Sequence, residues 1–238
     1  MASDPVTAPF ELPLPDGGAL RGCTLAGAEP GYLYLHGLGS VRTGTKSESL
    51  LAHALGRGRA FLRYDQRGHG ESTGRLGDVT IGELIDDLTR VLAHTGPRRV
   101  VGSSLGGLVA AFAAARRPDL VPALCLIAPA LGFLRNLPQR LDAEGRLWTS
   151  EGISFVVAER VLADARTLDE TRLPERLSMP TLIVHGSDDP VVPAVVGQRL
   201  FAAIPHPRKQ LWLVPAGDHR LADVADRIWP RFDALLPD

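Results

Sequence analysis

Cysteine is scarce in this chain: there are two among 238 residues, Cys23 and Cys125. They are far apart and neither has a histidine or second cysteine at ligand spacing, so neither a disulfide framework nor a metal site is expected. Cys125 sits in the apolar run Ala123-Leu124-Cys125-Leu126-Ile127 and reads as a buried thiol. An excess of charge of one sign is missing too. The formal net charge is -1, which gives no basic footprint for a nucleic-acid partner. The pairs Arg98-Arg99 and Arg116-Arg117 read as solvated ends of elements. No segment approaches the roughly 18 uninterrupted apolar residues of a membrane span. Met1-Ala2-Ser3-Asp4-Pro5 lacks a basic patch followed by an apolar run, so no signal peptide is expected and the chain reads as cytoplasmic. Internal repeats and low-complexity tracts are absent. The bias toward Ala, Arg, Gly and Pro fits a GC-rich bacterial genome.

What is present is a large apolar fraction, 45% of the residues, enough for one α/β domain over 1–238 to bury a full core. Phe10-Glu11-Leu12-Pro13-Leu14 and Ala19 to Leu25 flank Asp16-Gly17-Gly18, which predicts an opening hairpin. Strand and helix patterns then alternate. Strands are predicted near 31–36, 60–65, 99–103, 122–128, 181–185 and 210–214. Helices are predicted near 46–56, 81–95, 105–116, 194–203 and 220–236, with capping boxes at Thr45-x-x-Glu48 and Thr80-x-x-Glu83. This alternation implies a mostly parallel sheet with helices on both faces. Ligands bind such sheets beyond the carboxyl ends of the strands.

One pentapeptide, Gly102-Ser103-Ser104-Leu105-Gly106, falls where a predicted strand meets a predicted helix. A sharp strand-to-helix reversal strains its central residue and exposes that hydroxyl above the sheet. A serine hydroxyl is a weak nucleophile until a base and an orienting acid stand beside it. Both follow in the order Ser, Asp, His. Thr181 to Val184 reads as a strand, and the loop after it carries Asp188 and Asp189. The tail Pro190-Val191-Val192-Pro193 restricts that loop and favours Asp189 as the acid; Asp188 reads as a turn cap. Leu211 to Val214 reads as a further strand, and the loop after it presents His219, the candidate general base. His53 and His94 fall in helical patterns, His206 lies between prolines, His69 lies in a glycine-rich loop, and His185 reads as support for the acid loop. Acyl transfer also needs two donors for a developing oxyanion. The N–H of Leu105, at a helix N-terminus, is one candidate. The N–H of Leu38, in the turn His36-Gly37-Leu38-Gly39 after an early strand, is the other. Gly37 and Gly39 are read as substrate-facing members of that turn.

His36 to Gly39, the run Arg63 to Ser72, Gly102 to Gly106, His185 to Pro193 and Gly217-Asp218-His219 together resemble the α/β-hydrolase fold family, in the family's order and over nearly the whole chain. Gly44-Thr45-Lys46, Val101 to Gly107 and Asp218-His219-Arg220 are similar to the branch holding a mitochondrial palmitoyl-protein thioesterase and acyl-glucuronide esterase, with bacterial serine aminopeptidase and lysophospholipase-like relatives. The resemblance implies a sheet of about eight strands with helices on both faces and a small lid. It implies a serine esterase or thioesterase acting on small-molecule substrates without a cofactor. It makes a structural role the better reading for Asp65 and His69.

The segment 131–176 interrupts the alternation where such folds carry a lid. It contains Leu134, Leu137, Leu141, Leu147, Trp148, Ile153, Phe155, Val156 and Val157. It reads both as a connection packed on the body and as a cap with an apolar inner face. Trp148 reads first as a packing residue and second as a substrate contact. Aminopeptidase or amidase activity is the alternative within hydrolases, and perhydrolysis another. No acidic clamp for a free amino terminus is visible. Haloalkane dehalogenation is disfavoured, since that chemistry places Asp where this chain has Ser104. A non-catalytic binding protein of the same fold is the alternative of another class.

Overall fold

The computed structural model describes residues 6–236; the opening Met1–Pro5, read above as lacking a leader pattern, lies outside the described residues. Asp16-Gly17-Gly18 does form the expected turn: Gly17 takes φ +83° and the Gly18 N–H reaches Asp16 Oδ1 at 3.0 Å. It joins β1 (Ala8–Pro13) to β2 (Ala19–Leu25). There follow β3 (Ala28–Leu35), α1 (Thr45–Gly56), β4 (Arg59–Tyr64), α2 (Ile81–Thr95), β5 (Arg99–Ser103), α3 (Leu105–Arg116) and β6 (Ala123–Ile127). A long connection then carries α4 (Phe133–Asn136), the hairpin β7 (Arg146–Trp148) and β8 (Ser154–Val156), and α5 (Glu159–Thr167). β9 (Thr181–Gly186), α6 (Val195–Ala203), β10 (Lys209–Val214) and α7 (Ala225–Asp233) complete the chain.

Eight strands form one sheet in the order β1-β2-β4-β3-β5-β6-β9-β10. β1 and β2 are antiparallel, β2 meets β4 antiparallel, and every pairing from β4 to β10 is parallel. Period-two alternation sorts the central strands between two cores. Leu33, Val100, Leu124, Leu126 and Ile183 face the side of α2, α3 and α6. Tyr34, Val101, Cys125, Ile127 and Val184 face the side of α1 and α7. Both faces are covered, which is why these strands read as apolar runs. α3 is buried from Leu105 through Ala114. Its glycines and alanines let a helix enclosed on all sides lie close under the sheet.

The capping box of α2 forms as expected, with Glu83 N–H on Thr80 Oγ1 at 3.1 Å and Thr80 N–H on Glu83 Oε2 at 2.9 Å. That of α1 does not. Gly44 is its N-cap, Thr45 lies inside the helix, and Glu48 accepts from buried Arg63 Nη1 at 2.6 Å. A buried guanidinium needs a carboxylate more than a helix end does. The last helix is shorter than expected, 225–233 against 220–236. Asp218 Oδ1 accepts the N–H groups of Arg220 (3.0 Å) and Leu221 (2.9 Å), and Leu221 adopts φ +51°, so the chain turns before it can coil.

The connection between β6 and β9 packs on the body. Leu134, Leu137, Leu147, Val157, Val161 and Leu173 join the core beside α2 and α3. Asp164 accepts the Gly82 N–H at 2.9 Å in the first turn of α2, where a carboxylate is favoured. Among the described residues no helix is long and apolar enough to cross a membrane.

Candidate active site

β5 runs into α3 through Ser104, whose φ of +53° and ψ of -117° are strained for a residue with a Cβ. Several contacts hold it there. Its N–H bonds Ile127 O at 2.9 Å, and its carbonyl accepts from Gly107 (3.0 Å) and Ala130 (3.1 Å). A Cβ on Gly102 would lie 2.4 Å from Gly106 O, and one on Gly106 would lie 2.5 Å from His36 O. The two glycines of the pentapeptide therefore mark real close approaches, and the serine hydroxyl stands at the carboxyl edge of the sheet.

The loops after β9 and β10 reach the same edge. Gly186 lets them touch, since a Cβ there would sit 2.2 Å from Gly217 O. The Asp188 N–H bonds Gly217 O at 3.0 Å and the Ala216 N–H bonds Ser187 Oγ at 2.8 Å. This contact sets His219 between the other two groups. The Ser104 hydroxyl donates to His219 Nε2 at 3.0 Å, and His219 Nδ1–H donates to Asp189 Oδ2 at 2.7 Å. Asp188 is exposed and accepts from Ser187 Oγ at 2.7 Å, away from His219.

Asp189 is buried among donors. Oδ1 accepts the N–H groups of Val191 (2.8 Å) and Val192 (2.9 Å). Oδ2 also faces His185 Nε2 at 3.5 Å, and that nitrogen donates to Val192 O at 2.9 Å. With its proton on Nε2, His185 leaves a bare Nδ1, buried without a partner against Gly197. Burial pushes the Asp189 pKa up, but the bonds from His185, His219 and Val192 outweigh it and hold the carboxyl well below the usual range.

Leu38 lies in the turn after β3. Neither its N–H nor that of Leu105 has an acceptor among the described residues. The turn is braced from behind by two imidazoles. His36 Nδ1–H donates to Gly37 O at 2.8 Å and His36 Nε2 accepts the Gln66 N–H at 3.0 Å. His69 Nδ1–H donates to Arg67 O at 3.0 Å and His69 Nε2 accepts the Gly39 N–H at 3.1 Å. Each ring carries one donor and one acceptor, so each is neutral. Burial and the neighbouring His69 lower the His36 pKa to about 4; burial likewise lowers that of His69. Asp65 ties the same loop by accepting from Arg42 N (2.6 Å) and Glu71 N (3.0 Å). The sequence reading gave His69 a structural role but missed that His36 and His69 act as a pair on the turn. The motifs His36-Gly37 and Gly68-His69-Gly70 were the available signal.

A cavity of about 710 Å³ opens above Ser104, lined by Gly37, Leu38, Leu105 and His219 among others. Gly37 allows the approach, since a Cβ there would lie 3.2 Å from Ser104 Cβ. Gly39 does not line the cavity: its N–H is held by His69, and Thr149 fills the space beside its Cα. Trp148 lines the rim, 63% exposed, with Nε1–H on Asp142 Oδ2 at 3.3 Å. Leu131, Phe133 and Leu147 bring the β6–β9 connection into the wall. Among the described residues no three His, Cys, Asp or Glu side chains gather as a metal site.

The sequence profile of the family described as alpha/beta hydrolase fold matches residues 33–146. The mitochondrial palmitoyl-protein thioesterase ABHD10 of Mus musculus is 31% identical over 217 residues, which span 85% of this chain and 73% of that protein. The Homo sapiens protein of the same name is 28% identical over 217 residues, 85% of this chain and 71% of that one. The solved structure of mouse alpha/beta hydrolase domain-containing protein 10 superposes with a TM-score of 0.82 at 28% identity, over 96% of each chain. Est1E from Butyrivibrio proteoclasticus, solved with ferulic acid, matches with a TM-score of 0.78 at 19% identity, over 94% of this chain and 99% of that one; it shares the fold.

Proposed function

Because this chain belongs to the α/β-hydrolase family, we propose that it is a serine hydrolase that cleaves carboxylic esters or thioesters through an acyl-enzyme on Ser104. The observation that carries this reading is the unbroken hydrogen-bond chain from Ser104 through His219 to Asp189. In the proposed mechanism His219 Nε2 takes the serine proton as Oγ attacks the acyl carbonyl. Asp189, kept ionised by the N–H groups of Val191 and Val192 and by the His219 ring, orients that ring and stabilises the imidazolium. The N–H groups of Leu38 and Leu105 receive the oxyanion, worth about a hundred- to a thousand-fold in rate per donor. His219 then protonates the departing alcohol or thiol. Water repeats the sequence on the acyl-enzyme and releases the acid.

The thioester side of this reading draws support from the relatives named palmitoyl-protein thioesterase. We assign the 131–176 segment as a small cap on a single domain, since Leu131, Phe133 and Leu147 supply the apolar wall that would meet an acyl group. The aminopeptidase alternative lacks a free carboxylate for a substrate ammonium. Of the two glutamates in the cavity wall, Glu170 accepts the Gly132 N–H at 2.7 Å and Glu151 pairs with Arg220 at 3.2 Å.

Hydrolysis of p-nitrophenyl esters from acetyl to palmitoyl, together with fluorophosphonate labelling, tests the assignment. Serine-dependent turnover with a chain-length optimum supports it. Absence of both turnover and labelling favours a non-catalytic binder.

A further inference from the structure

The cavity is uneven in charge. On the side of Ser104 and the β7–β8 hairpin its charged groups all have partners: Lys46 Nζ donates to the backbone Arg220 O at 2.5 Å, and the Arg220 guanidinium pairs with Glu151 at 3.2 Å. The wall made by α4, the turn after it, residues 170–174 and α6 differs. Arg135, Arg140 and Arg199 all line the cavity there. The Arg199 guanidinium has no hydrogen bond or ion pair among the described residues. Arg140 lies 5.8 Å over the Phe133 ring, an interaction that leaves its N–H fork free at the edge. The acid beside Arg135 is Glu170, buried, whose two oxygens accept the backbone N–H groups of Gly132 (2.7 Å) and Arg135 (3.4 Å). Glu170 thus answers backbone donors and makes no salt bridge to any of the three guanidiniums, though it feels the charge of nearby Arg135.

Many other guanidiniums meet carboxylates, as Arg63 does Glu48, Arg67 does Asp87 and Arg116 does Asp86, while others, such as Arg59, Arg90 and Arg208, meet none among the described residues; what sets Arg135, Arg140 and Arg199 apart is that they line one cavity. Three without such a partner, exposed and lining one cleft, give that side of it a positive potential. Guanidinium forks match the two oxygens of a carboxylate or phosphate. None of the three bonds Ser104 or His219.

We propose that this arginine wall is a binding subsite for an oxyanion group, carboxylate or phosphate, carried by the substrate away from its scissile carbonyl. The proposal rests on the serine-hydrolase reading and narrows its substrate class to anionic esters or thioesters.

The test is kcat/KM of the full chain on two matched pairs. The first is 4-nitrophenyl hexanoate against mono-4-nitrophenyl adipate, which adds a carboxylate at the acyl end. The second is hexanoyl-N-acetylcysteamine against hexanoyl-coenzyme A, which adds phosphates on the leaving group. The anionic member of at least one pair is expected to lead by about ten- to a hundred-fold, the weight of one charge-assisted hydrogen bond. The lead shrinks as salt rises from about 50 to about 500 mM. It falls toward one in the Arg140→Gln/Arg199→Gln double variant, whose melting temperature reports its fold, and persists in the control Arg208→Gln. The pair that responds identifies carboxylate or phosphate. Ratios within about two-fold of one in both pairs, or a lead that survives the double substitution, overturn the subsite while leaving the hydrolase reading intact. No turnover of any of the four and no fluorophosphonate labelling overturns both.

Discussion

His69 Nε2 accepts the backbone N–H of Gly39 at 3.1 Å, so the turn that presents the Leu38 N–H is held in place by a neutral imidazole. His36, beside it, fixes the other end of the turn through Gly37 O and Gln66 N. The proposed oxyanion site therefore depends on two histidines that touch no substrate atom.

Replacing the acceptor tests this dependence. His69→Leu fills the buried space with an apolar group but leaves the Gly39 N–H unsatisfied and the turn unbraced. A fall in kcat of about ten- to a hundred-fold with little change in KM is expected, as for partial loss of an oxyanion donor. Unchanged kcat at unchanged stability would show that the turn holds its shape without His69.

The same pair predicts a pH dependence of stability. His36 titrates near 4 in the fold and near 6.5 when unfolded. The unfolded chain therefore takes up protons first as pH falls. Stability from this group is complete above about pH 6.5 and is lost progressively down to about pH 4, by up to about 3 kcal/mol. Urea midpoints measured across that range should decline, and less steeply in His36→Gln. Equal slopes in the two proteins contradict the assignment.

Asp189→Asn should cost far more than Asp188→Asn. The first removes the acceptor that fixes the His219 tautomer and lowers kcat by about ten-thousand-fold, as expected for an orienting carboxylate. The second alters an exposed side chain bonded to Ser187. Steady-state kinetics of the two variants decide the order, and the reverse order moves the role to Asp188.

Helix capping offers a stability comparison. Thr80→Ala removes the side-chain acceptor of the Glu83 N–H and should cost about 1 kcal/mol in denaturant unfolding. Thr45→Ala, inside α1 where no cap bond forms, should cost less. Equal losses would mean that the box at Thr80 contributes nothing.

Much of the fold was legible because its signals are local. β5, α3 and the Ser104 turn announce themselves in Val100-Val101, the alanine run and the paired glycines. The order Ser104, Asp189, His219 was readable because each follows a strand, and a parallel sheet brings strand ends to one edge. What failed to show were competitions settled in three dimensions. Glu48 serves buried Arg63 and not the cap of its own helix. Asp218 turns the chain at Leu221 and shortens the last helix. Gly39 looked substrate-facing by its motif, but His69, thirty residues on, holds its N–H. The arginine wall escaped notice because Arg135 and Arg199 lie on helices far apart in sequence that only the fold brings to one cavity.

The most direct test is the turnover of Ser104→Ala on a p-nitrophenyl ester that the wild-type chain hydrolyses. Loss of the nucleophile should lower kcat by about a million-fold, with the fold unchanged. A residual rate above about a tenth of wild type would contradict an acyl-enzyme on Ser104 and with it the proposed mechanism.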